Sequence, residues 1–455
     1  MTSRDGRPID PAVSPIKKSA TPKPRAVPGI PARRAALDIL TLVRSGAPLT
    51  EALDTCRSFD ALAGPDRAFA RALASTVLRR QGTLDALIAP FIDAPLPKRA
   101  AKATDALRLA VAQTAMMGVA CHAAVDTAVA LAQAFRETAG YAGLVNAIAR
   151  KIADGGAAEV EKLPERVDTP GWLWRSWERA YGPETARAIA RAHRQEPPLD
   201  LTPRKSADAE TLAQSLGGEL LPTGSIRLRG SHDVAALSGF DRGAWWVQDA
   251  AAALPARLLG DVAGKRVFDL CAAPGGKTLQ LADAGADVVA VDMVGYRLKT
   301  VAENLARVGL KAETVKADIL HWAPAEKAAA VLLDAPCTAT GTIRRNPDIL
   351  WSKSEDAVAA LAKLQAKFID KAVEFLTRGG VLVYSTCSLQ PEEGERQIEA
   401  ALARHAGLVR LPVAPSELGG EPQFITKAGD LRTLPSHWRD RGGLDGFYAA
   451  RLQKG

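Results

Sequence analysis

The chain has 455 residues, of which 47% are hydrophobic and 24% charged, a balance typical of a soluble globular protein with two or three domains. The longest uncharged stretch, residues 109–125, is interrupted by polar side chains, and no apolar segment follows the N-terminus. We therefore expect neither a membrane span nor a secretory signal. The five cysteines form no CxxC pair, which disfavours zinc sites and disulfide scaffolds and favours a cytoplasmic protein without a metal.

The positive charge is concentrated at the N-terminus. The net charge of the chain is +8, and residues 1–36 hold eight basic and two acidic side chains, so this segment alone carries +6. Seven prolines and almost no apolar periodicity leave it too little surface to bury. We predict that residues 1–31 form a flexible basic arm, which either attracts phosphate groups or serves as a solubilising tail.

Residues 32–155 have helical periodicity throughout. Leu37, Leu40 and Val43 recur on one face, and further amphipathic stretches follow, so the pattern predicts an all-α domain. Nothing in this domain resembles a catalytic constellation.

The composition changes in residues 163–240, which seven prolines break into short pieces. Two short runs, Leu199–Thr202 and Ile226–Arg229, have the composition of strands. We therefore predict a small α+β connecting module in this segment.

Residues 243–453 alternate between short apolar strands and helices. We predict five strands, at Arg266–Leu270, Val288–Val291, Glu313–Lys316, Ala330–Leu333 and Val381–Tyr384. Such alternation predicts a Rossmann-like α/β domain, with a parallel sheet that helices cover on both faces.

Unusual polar residues lie at the ends of these predicted strands: Asp269, Asp292, Asp318, Asp334, Cys337 and Cys387. The carboxyl ends of parallel strands share one edge of the sheet, and ligands bind there. The glycine-rich turn 271–277 lets the backbone approach a ligand, although it matches neither the dinucleotide nor the P-loop pattern. With Asp292 placed to accept hydrogen bonds from a ribose, we predict a nucleoside ligand.

Cys337 and Cys387 differ from Cys56 and Cys121 in their position relative to the predicted strands. A single cysteine is most often a small buried apolar residue, and Cys56 and Cys121 keep that interpretation. Cys337 and Cys387 each lie just beyond a strand at the ligand edge, where a thiol can be partly exposed and ionised.

Three of these segments together resemble the Fmu/Sun family of S-adenosylmethionine-dependent RNA cytosine-5 methyltransferases. They are CAAPGGK at 271–277, DAPC at 334–337 followed by GTIRRNPD at 341–348, and YSTCS at 384–388. The helical region, with DRAFA at 66–70 and LRRQGTLD at 78–85, resembles the antitermination factor NusB. A NusB-like domain before the catalytic domain implies an RNA partner, and 16S ribosomal RNA in particular.

The resemblance assigns a role to each matching position. S-adenosylmethionine would be held by three aspartates: Asp292 at its ribose, Asp318 near its adenine, and Asp334 beside its methionine end or the target base. The glycine-rich turn would also hold it, through Cys271, Ala272, Ala273, Pro274, Gly275, Gly276 and Lys277. Cys387 would be the nucleophile, and Cys337 would help to release the product. One departure is Thr338-Ala339, where family members often have Ser-Gly.

The implied chemistry explains why two thiols are needed. A thiolate that adds to C6 of cytosine makes C5 nucleophilic enough to attack a sulfonium methyl group. Protonated Asp334 would stabilise the charge on the ring, and Cys337 would assist removal of the C5 proton. Arg344 and Arg345 either hold RNA phosphates or form an ordinary charged loop. We expect a monomer.

Other functions stay open at this point. The order of the domains favours small-subunit rRNA, and the same chemistry on transfer RNA or large-subunit rRNA is the alternative. A non-catalytic RNA-binding or ribosome assembly factor predicts a damaged cofactor turn or a missing nucleophile, and neither is seen. In a DNA cytosine methyltransferase, Cys337 would attack instead of Cys387. A nicotinamide-dependent dehydrogenase fits least well.

Overall fold

The computed structural model describes residues 29–455, and its N-terminal part is all helical. The predicted basic arm lies outside the described residues except for its last three. The helices of this part are α1 (Ile30–Arg44), α2 (Leu49–Thr55), α3 (Arg57–Asp60), α4 (Gly64–Arg79), α5 (Gln81–Ile88), α6 (Ala101–Met116), α7 (Cys121–Gln133), α8 (Ala142–Ala153) and α9 (Gly156–Lys162). Their apolar stripes, which include Leu37, Leu40 and Val43, form one buried core.

The helical unit extends beyond the boundary that we predicted at residue 155. Val160 in α9 packs into the same core. Buried Asp168 then accepts hydrogen bonds from the backbone amide of Thr83 at 2.7 Å and from the Arg80 guanidinium at 2.9 Å. Arg194 lies 3.2 Å from the same carboxylate. The segment between the helical and catalytic parts is therefore packed onto both.

The predicted connecting module consists of two different structures. Helices α10 (Gly171–Tyr181) and α11 (Pro183–His193) bury Trp177 against Ile343 and Leu350 of the catalytic part. A separate antiparallel sheet follows, in the order β2-β3-β1-β4. Its elements are β1 (Leu199–Pro203), α12 (Ala209–Ser215), β2 (Glu219–Leu220), β3 (Ile226–Leu228) and β4 (Trp245–Val247).

Strand β4 lies beyond the boundary that we predicted at residue 240. It pairs with β1 and buries both Trp245 and Trp246. These indole rings therefore belong to the core.

The C-terminal part is built on a mixed sheet. Its elements are α13 (Leu254–Arg257), β5 (Arg266–Leu270), α14 (Gly276–Asp283), β6 (Asp287–Asp292), α15 (Gly295–Val308), β7 (Glu313–Lys316), β8 (Ala328–Asp334), α16 (Ile349–Ser352), α17 (Glu355–Phe375), β9 (Leu376–Thr386), α18 (Glu395–Arg404), β10 (Leu408–Arg410), β11 (Leu431–Arg432) and β12 (Tyr448–Lys454). The order is β10-β12-β9-β8-β5-β6-β7, and β11 also pairs with β12.

The five predicted strands are parallel, as expected. Strand β12 was not predicted, and it pairs antiparallel with β9. Alternate residues of the central strands face two different cores. Phe268 packs towards α17, whereas Val267 packs towards α13 and α14. Both faces of the sheet are thus buried, which leaves its carboxyl edge for ligands.

Among residues 29–455, no helix is both long and apolar enough to cross a membrane.

Candidate active site

Hydrogen bonds join the predicted cofactor turn to the ends of β8 and β9. Lys277, in the first turn of α14, donates from Nζ to Asp334 Oδ2 at 2.8 Å. Ser385, near the end of β9, donates from Oγ to Asp334 Oδ1 at 2.9 Å. The parallel register brings these side chains together, because Asp334 lies directly opposite Ser385. Cys387 follows two residues later.

The turn 271–277 has the conformation that its glycines predict. Gly275 has a φ of 103°, a left-handed value that glycine adopts without strain, and α14 begins at the next residue without a side-chain cap. Asp292, at the end of β6, accepts hydrogen bonds from the amides of Ala273 at 3.2 Å and Val294 at 2.9 Å. Its buried carboxylate therefore holds the turn against the second strand.

Asp269 lies beneath this turn. Its carboxyl is fully buried and accepts one hydrogen bond, from Thr278 Oγ1 at 2.6 Å, while Oδ1 is buried without a partner. Burial raises the pKa of Asp269 to about 7. Cys271 follows with a φ of 62°, and burial raises the pKa of its thiol well above the ordinary value.

The side chain of Asp318 forms only local hydrogen bonds. It accepts hydrogen bonds from the amide of Leu320 at 3.0 Å and from His321 Nδ1 at 2.9 Å, and these bonds lower its pKa. About a third of its side chain is exposed. The structure thus places Asp318 beyond β7 with no hydrogen bond to the remaining site.

The two strand-end cysteines are in contact. Cys337 Sγ and Cys387 Sγ are 3.5 Å apart, and both residues are partly exposed. The hydrogen bond to Cys387, together with burial, raises the pKa of the Cys337 thiol well above its ordinary value. The raised pKa favours the protonated form of Cys337, and either thiol can be the donor in the contact.

We expected Asp334 to be a protonated donor, and in the structure its carboxyl group is a hydrogen-bond acceptor. Both of its oxygens accept hydrogen bonds, and one accepts from the Lys277 ammonium. The group available to donate a proton or a hydrogen bond at this point is Lys277, whose side chain is largely buried.

Arg344 and Arg345 are not free to hold RNA phosphates, which corrects one of the two interpretations above. Arg344 is 1% exposed and bonds to Asp445 at 3.1 Å. Arg345 bonds to Asp445 at 3.0 Å and to Asp249. These guanidinium groups pair with carboxylates inside the protein, so their environment is that of a structural junction.

Glu393 was not among the predicted site residues. Its fully buried carboxylate accepts hydrogen bonds from the backbone amide and hydroxyl of Thr338 and from the hydroxyl of Ser388. Thr338 and Ser388 are the residues that follow the two active-site cysteines. The signal was a pair of glutamates, 392 and 393, soon after a strand-end cysteine, but sequence alone does not show which of the two is buried.

The departure at Thr338-Ala339 also has a structural consequence. Thr338 supplies the hydroxyl that a serine would supply. Ala339 has a φ of 57°, in the left-handed region that favours the glycine often found there in family members. Thr338 therefore keeps the hydrogen bond to Glu393, and Ala339 has a strained backbone conformation.

Within residues 29–455, no group of three or more His, Cys, Asp or Glu side chains is arranged to hold a metal ion.

Comparisons with known proteins agree with this geometry. Residues 256–453 match the model of the 16S rRNA methyltransferase RsmB/F family, and residues 30–154 match that of the NusB family. A ribosomal RNA small subunit methyltransferase B from Pseudomonas syringae is 37% identical over 93% of this chain and 96% of its own. The chain belongs to the RsmB/F methyltransferase family. The predicted family and both predicted domain types are confirmed.

Further relatives and solved structures support the assignment. A probable small subunit methyltransferase B from Synechocystis is 34% identical and covers 93% of this chain and all of its own. A crystal structure of PH0851 has a TM-score of 0.76 at 24% identity, over 95% of this chain and all of that one, so it shows the fold. A methyltransferase homologue from Pyrococcus horikoshii has a TM-score of 0.52 at 27% identity, over 62% of this chain and 94% of its own.

Proposed function

We propose that this protein methylates C5 of a cytosine in 16S ribosomal RNA, with S-adenosylmethionine as methyl donor and a covalent bond between Cys387 Sγ and C6 of the base. The observation that carries the proposal is the pair of thiols 3.5 Å apart at the carboxyl edge of the sheet. Hydrogen bonds through Ser385 and Asp334 connect that edge to the turn ending at Lys277. The name of the matching family, 16S rRNA methyltransferase RsmB/F, and that of the relative from Pseudomonas syringae support 16S rRNA as the substrate.

The residues present fit S-adenosylmethionine. The groups at the sheet edge are carboxylates, which accept hydrogen bonds from ribose hydroxyls and from amino groups, and Asp269 Oδ1 is a buried acceptor without a partner. We propose that the turn 271–277 and Asp292 hold the cofactor, with Asp318 towards its adenine. When bound, S-adenosylmethionine supplies an electrophilic methyl group.

Cys387 fits the role of nucleophile better than Cys337 does. The attacking form is the thiolate, and the raised pKa of Cys337 disfavours that form of Cys337. With its sulfur 3.5 Å from Cys387 Sγ, a protonated Cys337 would donate to a Cys387 thiolate and stabilise its negative charge. This asymmetry favours an RNA-type assignment over that of a DNA cytosine methyltransferase, in which the Pro-Cys thiol, here Cys337, would attack.

The other site residues then have defined tasks. Addition of Cys387 Sγ to C6 places negative charge on the pyrimidine, and the Lys277 ammonium, held by Asp334, is the nearby cationic donor. After methylation, a base takes the proton from C5, the electron pair of that C–H bond re-forms the C5=C6 double bond, and Cys387 leaves as a thiolate. Cys337 is suited to be this base once its own proton has passed to water, because bonding of Cys387 to the pyrimidine frees Cys337 from the hydrogen bond that raised its pKa.

Purified enzyme, 16S rRNA and radiolabelled S-adenosylmethionine provide the test. We expect Cys387→Ala to abolish methyl transfer, and Cys337→Ala to leave RNA covalently attached to the protein as a complex that survives denaturing electrophoresis. Cys121→Ala is the matched control, since Cys121 is exposed in the helical domain, outside the site. Stalled complexes in Cys387→Ala rather than Cys337→Ala would reverse the two roles.

A second measurement tests the substrate. Bisulfite sequencing of total RNA from cells with and without the gene should show loss of one 5-methylcytosine from 16S rRNA. Loss from transfer RNA or large-subunit rRNA instead would reassign the substrate and leave the chemistry intact. No change in any RNA would favour a non-catalytic assembly factor.

A further inference from the structure

We propose that Glu393 is the positioning residue for both active-site thiols: its buried carboxylate binds the residue after each cysteine and thereby fixes the distance between the two sulfur atoms. The catalytic consequence of this inference rests on the proposed function, whereas the positioning itself does not. Glu393 is fully buried and therefore touches neither RNA nor cofactor.

The contacts of Glu393 connect two loops that are far apart in sequence. Oε1 accepts from the backbone amide of Thr338 at 2.9 Å, and Oε2 accepts from the hydroxyls of Thr338 and Ser388. Thr338 follows Cys337 at the end of β8, and Ser388 follows Cys387 at the end of β9. One carboxylate thus spans the two loops whose thiols are in contact.

Glu393 is itself held by the surrounding core. Its backbone carbonyl accepts from the hydroxyl of Tyr384 in β9 at 2.7 Å. Gln365 in α17 donates to Oε1 at 3.1 Å and also to the carbonyl of Pro336 at 2.9 Å. Strand β9 thus holds the backbone of Glu393, and helix α17 holds its carboxylate. Displacement of either loop must therefore break hydrogen bonds to a buried carboxylate.

A buried carboxylate is costly, so its presence calls for an explanation. A glutamine of the same size has only one acceptor oxygen, so it cannot accept at once from the Thr338 amide and from the hydroxyls of Thr338 and Ser388 in the way that the two carboxylate oxygens do. A carboxylate is the side chain of this length that accepts from both loops at once. Its negative charge also contributes, after Cys387 and burial, to the raised pKa of the Cys337 thiol.

The test compares Glu393→Gln with Glu392→Gln. Glu392 is the adjacent residue, about a third exposed, and its carboxylate pairs with Arg396 at the surface. Both substitutions remove one negative charge, but only the first faces the cysteine loops. Both are made in a Cys121→Ala background, which removes an exposed thiol that would cross-link molecules.

The first readout is independent of methyl transfer. Diamide oxidises two thiols in contact to a disulfide, and its N=N bond takes up the two electrons and two protons that the thiols lose. Mass spectrometry of peptides then gives the rate of Cys337–Cys387 disulfide formation. We expect Glu393→Gln to slow this rate severalfold and Glu392→Gln to leave it unchanged. An unchanged rate in folded Glu393→Gln would overturn the proposal.

The second readout separates positioning from binding. We expect Glu393→Gln to lower kcat about 100-fold, since a shift of the order of 1 Å in a reacting group has this effect, while KM for RNA stays within about twofold. Restoring the acceptor pair with Glu393→Asp should recover part of kcat. A matching rise in KM, or no recovery with aspartate, would contradict a positioning role.

Single-loop variants decide the matter if Glu393→Gln does not fold. Thr338→Val and Ser388→Ala each remove one hydroxyl and leave the carboxylate with its other donors. Each should slow disulfide formation, and wild-type rates in both would overturn the proposal. If disulfide rates change as expected but the wild-type enzyme makes no 5-methylcytosine, the proposed function fails while the positioning role stands.

Discussion

The helical unit and the loop that follows Cys337 are both buried, but by different means. The core of the helical unit is formed by leucine, alanine and other apolar side chains. The loop buries ion pairs instead. Arg344 and Arg345 bond to Asp249 and Asp445, and all four side chains are buried or largely buried. Apolar periodicity in a sequence predicts burial in an apolar core, but it does not predict burial by ion pairs.

The difference matters because the two regions meet. Trp351 donates from its indole nitrogen to the carbonyl of Leu78 at 2.7 Å, and Arg79 donates to the carbonyl of Arg344 at 2.9 Å. The amide of Leu49 also donates to Asp348 at 3.2 Å. The helical domain therefore rests directly on the loop that connects Cys337 to α16.

Two buried carboxyls show how neighbouring charges decide the outcome. Burial by itself would raise the pKa of Asp249, but Arg345 and Arg344 lower it to about 2. Asp269 has no arginine partner, and burial raises its pKa to about 7. The two arginines thus stabilise the ionised form of Asp249, whereas Asp269, below the turn 271–277, resists ionisation.

The largest expected effect comes from breaking the charged junction. Arg344→Met removes one cation and leaves Asp445 and Asp249 with too little positive charge, so we expect the free energy of unfolding to fall by about 3–5 kcal/mol. Arg266→Met is the control, because the Arg266–Asp287 pair is exposed and its loss should cost less than about 1 kcal/mol. Chemical denaturation measures both. Similar losses in the two variants would contradict a buried, balanced network.

The pH dependence of stability should separate the two carboxyls. Since the pKa of Asp269 is higher in the folded protein than its ordinary value of 3.8, its contribution to stability is complete below about pH 4 and is lost as pH rises through about 7. A shift of about 3 units corresponds to at most about 4 kcal/mol. We expect Asp269→Asn to remove this dependence.

Denaturation curves between pH 4 and 8 provide the measurement. Asp249 has the opposite sign, because its lowered pKa gives stability that is present above about pH 4 and lost as pH falls towards 2. Asp249→Asn should therefore leave the slope between pH 4 and 8 unchanged. If Asp269→Asn has the wild-type slope in this range, another group is responsible.

The hydrogen bond between Trp351 and Leu78, where the catalytic part meets the helical unit, should have a smaller effect on stability. Trp351→Phe keeps an aromatic ring but removes the hydrogen bond to Leu78, so we expect a loss of about 1 kcal/mol in the free energy of unfolding. Trp438→Phe is a matched control within the catalytic part, where the indole donates to Glu421. Hydrogen exchange at the end of α4 should rise in Trp351→Phe only. Exchange that rises equally in the control would show that the contact is not local.

The sequence predicted the parts of the site that local pattern determines. The strand Arg266–Leu270 was predicted with correct bounds, and the turn after it was predicted to within one residue of the start of α14, because a short apolar run and paired glycines are local signals. The carboxyl edge of the parallel strands brought Asp334, Cys337 and Cys387 into one region, as expected. That the two sulfur atoms would touch was not predictable, since side-chain distances depend on how the loops are held.

The features that sequence did not reveal are those decided by tertiary partners. Glu393 and Glu392 are identical in type and adjacent, and only packing against α17 distinguishes the buried one. The two arginines after Gly341 looked like a phosphate-binding pair because their acidic partners, Asp249 and Asp445, lie about 100 residues away on either side. Strand β12, which lies between β9 and β10, was missed because an antiparallel strand needs no crossover helix and so leaves no alternating strand–helix rhythm.

Asp168 has a practical consequence for dividing this chain. The NusB family match ends at residue 154, and a fragment cut there would lack both α9 and this carboxylate. The amide of Thr83 and the guanidinium of Arg80 would lose their acceptor, and the apolar surface beneath Val160 would be opened to water. A soluble fragment of the helical unit should therefore be designed to end after residue 168, where its last internal hydrogen bonds are complete.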